Sequence, residues 1–172
     1  VPLKGLRYLL EAVAQIRKKQ PVKLTVIGEP KKEGVIEKLV AKLGISDIVN
    51  FTGRIANEDF ADYYSKSTIA VVPSLYEGFG IPALEAMACG VPLISTSGGA
   101  LPEVVGDAGM IVEPADASAL ARAITHLLNN PDERKKYAKA GLARVSSVFS
   151  WPKAAQEVTE VYREAIDAHR RL

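Results

Sequence analysis

Apolar residues recur every three to four positions in four segments of the chain, and this spacing predicts amphipathic helices. The first two segments are 6–16 and 36–43, and we expect their helices to end at Pro21 and Gly44. The other two segments, 120–128 and 158–166, predict longer helices near the end of the chain. A turn at 130–132 is expected to separate these last helices.

Short apolar runs alternate with the helical segments and predict β-strands. The runs are 23–27, 47–52, 69–73, 92–95 and 110–112. Their positions are apolar throughout rather than alternately apolar and polar, which is typical of strands buried on both faces. The chain is therefore predicted to have an α/β fold, with a Rossmann-like parallel sheet and helices on both of its faces.

The segment from Glu77 to Glu85 is the strongest candidate for a binding site. It reads Glu-Gly-Phe-Gly-Ile-Pro-Ala-Leu-Glu and follows a predicted strand. Glycines let backbone N–H groups approach a ligand closely, and Pro82 suits the first position of a helix. The free N–H groups of a first helical turn bind anions, and Glu85 is expected to lie in that turn. The segment therefore predicts an anion site with a carboxylate on each side.

This order of groups matches a nucleotide diphosphate sugar, which carries sugar hydroxyls, a diphosphate and ribose hydroxyls in turn. A carboxylate accepts hydrogen bonds from vicinal hydroxyls, as in ribose recognition. Taken alone, Glu85 would be a helix-stabilising acid and Glu77 a solvated loop residue. The two carboxylates together, with glycines between them at a helix start, favour ligand binding.

Other candidate residues follow or precede the predicted elements. Ligands of doubly wound sheets bind beyond the carboxyl ends of the strands, where the chain places Gly28, Gly53, Arg54 and the loop 95–99. Lys4 precedes the first helix and is long enough to reach a phosphate as a point charge. For Lys4 and Arg54 the alternative is an ordinary surface residue.

Length, charge and composition limit the alternatives. The 172 residues suit one packed domain, and 22 basic against 20 acidic residues give no reason to expect nucleic-acid binding. A single cysteine, Cys89, fits a reducing compartment. His126 and His169 have no partner at metal-ligand spacing, so no metal is expected. No apolar stretch approaches the roughly 20 residues that span a bilayer.

Residues 73–96, PSLYEGFGIPALEAMACGVPLIST, resemble the signature of the retaining GT-B glycosyltransferases, in which two glutamates stand eight positions apart. A weaker likeness runs along the whole chain, through 4–6, 26–28, 49–53, 98–103 and 149–151. The resemblance implies that residues 1–172 are the C-terminal, donor-binding domain of a two-domain enzyme. Such enzymes move a sugar from a nucleotide diphosphate to an acceptor with retained anomeric configuration, and they need no metal or other cofactor.

The resemblance also implies roles for individual residues. Glu77 and Lys4 would be catalytic: Glu77 contacts the hydroxyls of the transferred sugar, and Lys4 neutralises the departing diphosphate. Glu85 would hold the ribose, and the loop 53–55 would lie beside the base. The implied donor-binding residues are Glu85, Gly78, Phe79, Gly80, Ile81, Gly28, Gly53 and Arg54.

The chain departs from the family pattern at its start. In the family a central strand carrying an arginine precedes the lysine, whereas this chain begins after that point and without methionine. We therefore expect a sheet without its first strand, in a fragment that binds nucleotide weakly and transfers no sugar. The acceptor, and any membrane contact, would come through an absent N-terminal domain. The expected location is the cytoplasm, or the inner face of the membrane for the full-length protein.

Two other functions fit the same residues. One is a nucleotide-sugar binding module without turnover, and the other is an epimerase or phosphorylase of similar architecture. The sequence leaves the base, the sugar and the acceptor open.

Overall fold

The computed structural model describes residues 2–29 and 34–170, which form five short strands and eight α-helices. The strands are β1 (Leu24–Val26), β2 (Val49–Phe51), β3 (Ala70–Val72), β4 (Leu93–Thr96) and β5 (Met110–Val112). The helices are α1 (Leu6–Arg17), α2 (Val35–Leu43), α3 (Phe60–Ser65), α4 (Ile81–Ala88), α5 (Leu101–Val105), α6 (Ala117–Asn129), α7 (Pro131–Val148) and α8 (Trp151–Arg170). Short 3₁₀ helices cover Pro2–Lys4, Asn57–Asp59 and Gly106–Ala108.

All the strand pairs are parallel, as predicted. β1 pairs with β2, with Leu24 opposite Val49. β4 lies between β3 and β5, with Ile94 opposite Val71 on one side and Met110 on the other. Because the strands of each sheet run in one direction, their carboxyl ends meet at one edge, and the loop that leads into α4 begins there.

Helices cover both faces of the β3–β4–β5 sheet. Leu93 packs in a cluster with Met87 of α4 and Leu101 of α5. Its neighbour Ile94 packs in a second cluster, with residues of α1 and α6 such as Val13. Consecutive side chains of a strand point to opposite faces, so the central strand is buried from both sides. The predicted α/β architecture with flanking helices is confirmed.

The β1–β2 pair is covered by α1 and α2. Leu10 of α1, Val40 of α2 and Ile45 form a third buried cluster, which also includes the half-buried Leu24 of β1. Leu24 contributes to the second cluster as well. The two sheets are therefore joined through the apolar face of α1.

The structure differs from the predicted elements at several boundaries. β1, β2 and β3 are two or three residues shorter than the apolar runs that predicted them, and β4 is shifted by one residue. α1 ends at Arg17 rather than at Pro21, because the N–H of Lys19 closes a tighter turn on the carbonyl of Ile16, at 2.9 Å. The single predicted sheet is divided in two, since within the described ranges β1 does not pair with β3. The expected absence of a first strand stays a prediction.

The helix predicted near the end of the chain forms, but the residues of its apolar stripe are exposed. None of the residues of α8 is buried, and Trp151 is 89% exposed. Val158, Val161, Tyr162 and Ile166 of the same helix are each more than half exposed. α8 therefore contributes little to the core. None of the described helices combines the length and the apolarity that crossing a membrane requires.

Candidate functional site

The N-terminal segment lies directly against the loop that follows β3. The carbonyl of Leu3 accepts a hydrogen bond from the N–H of Leu75, at 2.7 Å. Gly5 has a left-handed φ of 65°, and a Cβ at this position would overlap the carbonyl of Pro73. Only glycine meets both conditions without strain. Lys4, between Leu3 and Gly5, is thereby fixed beside the loop that carries Glu77.

A second glycine segment holds the same loop from the other side. The N–H of Glu77 donates to the carbonyl of Gly98 at 3.3 Å, and the N–H of Ala100 donates to the carbonyl of Glu77 at 2.9 Å. A Cβ on Gly98 would come within 2.5 Å of the carbonyl oxygen of Leu75, and one on Gly99 would overlap that of Glu77. The main chain of Glu77 is therefore held in place by backbone contacts. A side chain at position 98 or 99 would prevent these contacts.

The carboxylate of Glu77 is almost buried and is held by two donors. Lys4 Nζ lies 2.5 Å from Oε1, and Ser74 Oγ donates to the same oxygen at 2.8 Å. The Glu77 side chain is 11% exposed, whereas that of Lys4 is 54% exposed. A buried carboxylate needs such partners to offset its desolvation. Because both partners use Oε1, the second oxygen is left for another group.

Ser74 is itself fixed by the neighbouring strand. It is buried, and its carbonyl accepts a hydrogen bond from the hydroxyl of Thr96 at the end of β4. Thr96 is also buried. The orientation of the Glu77 carboxylate is therefore set by two strand ends and the N-terminal segment together.

The start of α4 agrees with the prediction in part. Gly80, with φ 96°, precedes the helix, and no side chain caps it. The helix begins at Ile81, so Pro82 occupies its second position and not the first. No acidic residue lies in the first turn, so the prediction that Glu85 lies there is wrong. Glu85 is the fifth residue of α4, where the helix dipole has largely fallen off.

Glu85 has a different environment from Glu77. The hydroxyl of Tyr64, from α3, lies 3.3 Å from Glu85 Oε2 and 3.3 Å from the carbonyl oxygen of Pro82. Burial, together with the negative charge of Glu85, raises the pKa of Tyr64 above its ordinary value. Burial and the same carboxylate raise the pKa of the Cys89 thiol. Cys89 is therefore less prepared to act as a nucleophile than an ordinary cysteine.

Aromatic and apolar side chains are exposed on the loop that carries Glu77 and at the start of α4. Phe79 is 51% exposed, and its ring meets that of Phe149 edge to face, with centroids 6.4 Å apart. The guanidinium of Arg144 lies 5.7 Å from the centre of the Phe149 ring. Tyr76 and Ile81 are also exposed. The end of α7 thus supports Phe79 at the rim.

The predicted glycines at the ends of β1 and β2 meet each other. The N–H of Gly53 donates to the carbonyl of Gly28 at 3.3 Å, and the N–H of Gly28 donates to Thr52 Oγ1 at 3.2 Å. Arg54, next to Gly53, is exposed. Within the described residues, no hydrogen bond or ion pair connects Arg54 or these glycines to the loop of Glu77.

Tyr76, Phe79 and Ile81, close to Glu77 in the sequence, are exposed at the surface. A groove of about 600 Å³ lies elsewhere, between α1 and α6, and is lined by residues that include Lys18, Lys19 and Arg122. None of the predicted donor-binding residues lines it. Ligand sites usually bury most of a small molecule, so the loop of Glu77 supplies one wall of such a site.

A comparison with protein families identifies the family of this chain. The family model described as glycosyl transferases group 1 matches residues 1–144, which is most of the chain. The chain belongs to this family. Its two-glutamate segment and Lys4 both lie inside the matched range.

Individual members of the glycosyl transferases group 1 family and related structures extend the comparison. MMP alpha-(1->4)-mannosyltransferase of Mycolicibacterium hassiacum is 43% identical over 169 residues, which cover 96% of this chain and 41% of that protein. Sucrose-phosphate synthase from Thermosynechococcus elongatus is 37% identical, with a TM-score of 0.85 over 98% of this chain and 44% of that one. This chain therefore spans less than half the length of both proteins.

A more distant structure shares the fold alone. Anabaena HepE, solved in complex with UDP-glucose, is 24% identical to this glycosyltransferase-family chain, with a TM-score of 0.84. The match covers 95% of this chain and 46% of that one. The predicted architecture is therefore also found in a protein of widely different sequence.

Sequence reasoning did not single out three residues of this glycosyltransferase-family site. Ser74 lies three positions before Glu77, and a hydroxyl directly after a buried strand was a local signal for it. Thr96, at the end of the next strand, carried a similar signal. Tyr64 lies 21 positions from Glu85 on another helix, and no local pattern connects the two.

Proposed function

We propose that this chain is the donor-binding half of a retaining glycosyltransferase that moves a sugar from a nucleotide diphosphate sugar to an acceptor. The observation that carries the proposal is the placement of Glu77. Its carboxylate is nearly buried and paired with Lys4 through one oxygen, and Glu77 lies four residues before the first residue of α4. A carboxylate in this position has one oxygen left to accept hydrogen bonds from sugar hydroxyls.

Each predicted residue has a role in this proposal. Glu77 binds hydroxyls of the transferred sugar, and the backbone of 78–81 faces the diphosphate at the start of α4. Lys4 offsets the negative charge that develops on the diphosphate as it leaves with the electrons of the broken C–O bond. Glu85 binds the ribose hydroxyls, and the strand-end loops at Gly28, Gly53 and Arg54 lie beside the base. Lys4 supplies the positive charge, so no metal is assigned.

The relatives support a sugar-transfer role. They include a mannosyltransferase and a sucrose-phosphate synthase, and the fold neighbour HepE was solved with UDP-glucose. These names suggest a nucleotide sugar as the donor of this protein. They differ in sugar and acceptor, so the proposal is limited to the donor class.

The remaining parts of the reaction are assigned outside these residues. The loop of Glu77 supplies one wall of the site, and we assign the second wall and the acceptor site to an N-terminal domain of the full polypeptide. Residues 1–172 alone are then expected to bind nucleotide weakly without transferring sugar. We assign the reaction to the cytoplasm.

The test is a transfer assay on the full-length polypeptide. UDP-, GDP- and ADP-sugars are offered with hexose, hexose phosphate and inositol phosphate acceptors, and the anomeric configuration of the product is read by NMR. Transfer with retention supports the proposal. Transfer with inversion removes the retaining assignment. Binding of a nucleotide sugar without any turnover favours a binding module, and epimerised or phosphorolysed sugar favours the third alternative.

Glu77→Gln is the matched variant for this assay. It removes the negative charge while keeping the shape of the side chain. We expect turnover to fall by at least about 100-fold, since electrostatic contacts in the transition state have this magnitude. Glu103→Gln, an exposed acid on α5, is the control and should transfer sugar at the wild-type rate.

A further inference from the structure

Tyr64 lies on α3, outside every segment assigned above to the donor, but its hydroxyl faces α4. It is within 3.3 Å of Glu85 Oε2 and of the carbonyl oxygen of Pro82. Pro82 and Glu85 are three positions apart and lie on one face of the helix. The phenol therefore contacts α4 at the turn that carries Glu85.

The ring of Tyr64 is anchored independently of its hydroxyl. It packs against the buried cluster formed by residues of β3, α4 and α5, which includes Ala83 and Ala86. The ring can therefore stay in place when the oxygen is removed. This separates a packing role of the ring from a role of the hydroxyl.

Glu85 has fewer hydrogen-bond donors than Glu77. Within residues 2–29 and 34–170, Glu77 has both Lys4 and Ser74, whereas Tyr64 is the sole hydrogen-bond donor to the Glu85 side chain. Burial and the charge of Glu85 raise the pKa of Tyr64, so the phenol keeps its proton at neutral pH and can donate it.

We propose that Tyr64 is a positioning residue that holds Oε2 of Glu85 and leaves Oε1 to accept hydrogen bonds from the ribose hydroxyls of the donor. This inference rests on the proposed function, in which Glu85 binds ribose. It adds a residue from α3 to the site. It also predicts that Tyr64 affects only ligands that carry those hydroxyls.

The test compares two ligands that differ only in the hydroxyls. Dissociation constants of UDP and of 2′,3′-dideoxyuridine diphosphate are measured by calorimetry on the full-length polypeptide, with GDP and its dideoxy analogue in parallel. Tyr64→Phe should weaken binding of the hydroxylated nucleotide about three- to tenfold, the range for one hydrogen bond. Binding of the dideoxy nucleotide should be unchanged, and in a Glu85→Ala background the substitution should have no further effect.

Tyr63→Phe is the matched control. Tyr63 is the preceding residue of α3, and its hydroxyl makes no hydrogen bond to Glu85 in the part of the chain that the structure describes. Both nucleotides should bind this variant with the wild-type constants. Thermal unfolding of the Tyr64→Phe protein checks that the ring still packs.

The outcomes separate this inference from the proposal on which it rests. If the wild-type protein binds neither UDP nor GDP, the comparison is repeated with ADP and its dideoxy analogue, and binding of none of the three overturns both. If the wild type prefers the hydroxylated nucleotide but Tyr64→Phe binds it with the same constant, only the role of Tyr64 is overturned. Equal weakening of the binding of both nucleotides also overturns it, because the lost affinity would then not depend on the ribose hydroxyls.

Discussion

The ammonium group of Lys4 lies 2.5 Å from Oε1 of Glu77, although the two residues are 73 positions apart. This ion pair joins the N-terminal segment to the loop after β3. Lys4 is more than half exposed and Glu77 nearly buried, so the positive charge of the pair is accessible from solvent while the carboxylate is largely shielded. Several measurable consequences follow from this arrangement.

Lys4→Met should slow sugar transfer far more than it weakens donor binding. The substitution removes the charge assigned to the departing diphosphate, and loss of one such electrostatic contact costs about 100- to 1,000-fold in kcat. Steady-state kinetics of the full-length polypeptide measures the effect. Lys19→Met, an exposed lysine after α1, should have wild-type kinetics. A kcat for Lys4→Met within twofold of wild type would remove Lys4 from the mechanism.

Gly5→Ala should destabilise the protein, whereas Gly78→Ala should not. Gly5 has a left-handed φ and no room for a Cβ next to Pro73, while nothing lies within 4 Å of the Cβ position of Gly78. The backbone strain alone is expected to cost about 1–3 kcal/mol, and the overlap adds to it. Chemical denaturation measures the difference. Equal stability of the two variants would mean that the N-terminal segment does not lie against the loop.

Two isoleucines on different helices should differ in their contribution to stability. Ile16 of α1 is 2% exposed, whereas Ile166 of α8 is 51% exposed. Ile16→Ala is expected to reduce the free energy of unfolding by about 2–5 kcal/mol, and Ile166→Ala by about 0.5 kcal/mol or less. Urea denaturation of the 172-residue chain compares them. A large loss for Ile166→Ala would show that α8 packs on the core.

Tyr64 should make the folded protein less stable in alkali. Its pKa is raised above the ordinary value near 10 by burial and by Glu85. The contribution to stability is therefore fully present below about pH 10 and is lost above it, because the unfolded chain releases a proton that the folded chain retains. The free energy of unfolding of Tyr64→Phe should fall less steeply above about pH 10 than that of wild type or Tyr63→Phe. Parallel curves would mean that Tyr64 is solvated.

The order of most elements could be predicted because they are marked by local patterns, but α7 was missed, and the turn expected at 130–132 lies largely within its first turn. Apolar runs such as 69–73 and 92–95 located β3 and β4, and helical spacing located α1 and α6. The boundaries were less accurate, since the end of α1 depends on which backbone bonds close its last turn. The stripe on α8 predicted a helix correctly, but an apolar stripe does not specify what covers it.

The candidate site residues could be proposed from the sequence, but their geometry could not. Glu77, Glu85 and Lys4 were proposed from their motif and family resemblance, whereas the direct pairing of Lys4 with Glu77 has no local signal in the sequence. The contact of Tyr64 with Glu85 depends in the same way on how α3 packs against α4. Such contacts are set by tertiary packing, which spacing along the chain does not encode.

The most direct test compares how tightly two variants of the full-length polypeptide bind a nucleotide sugar and the corresponding free nucleoside diphosphate. Calorimetry measures the dissociation constants of wild type, Glu77→Gln and Glu85→Gln for two pairs of ligands, which are UDP-glucose with UDP and GDP-mannose with GDP. We predict that Glu77→Gln weakens binding of the nucleotide sugar but not of the free nucleoside diphosphate. Glu85→Gln should weaken binding of both ligands by the same factor. Wild-type constants for both variants with every ligand would contradict the assignment of the two carboxylates to opposite ends of a nucleotide sugar.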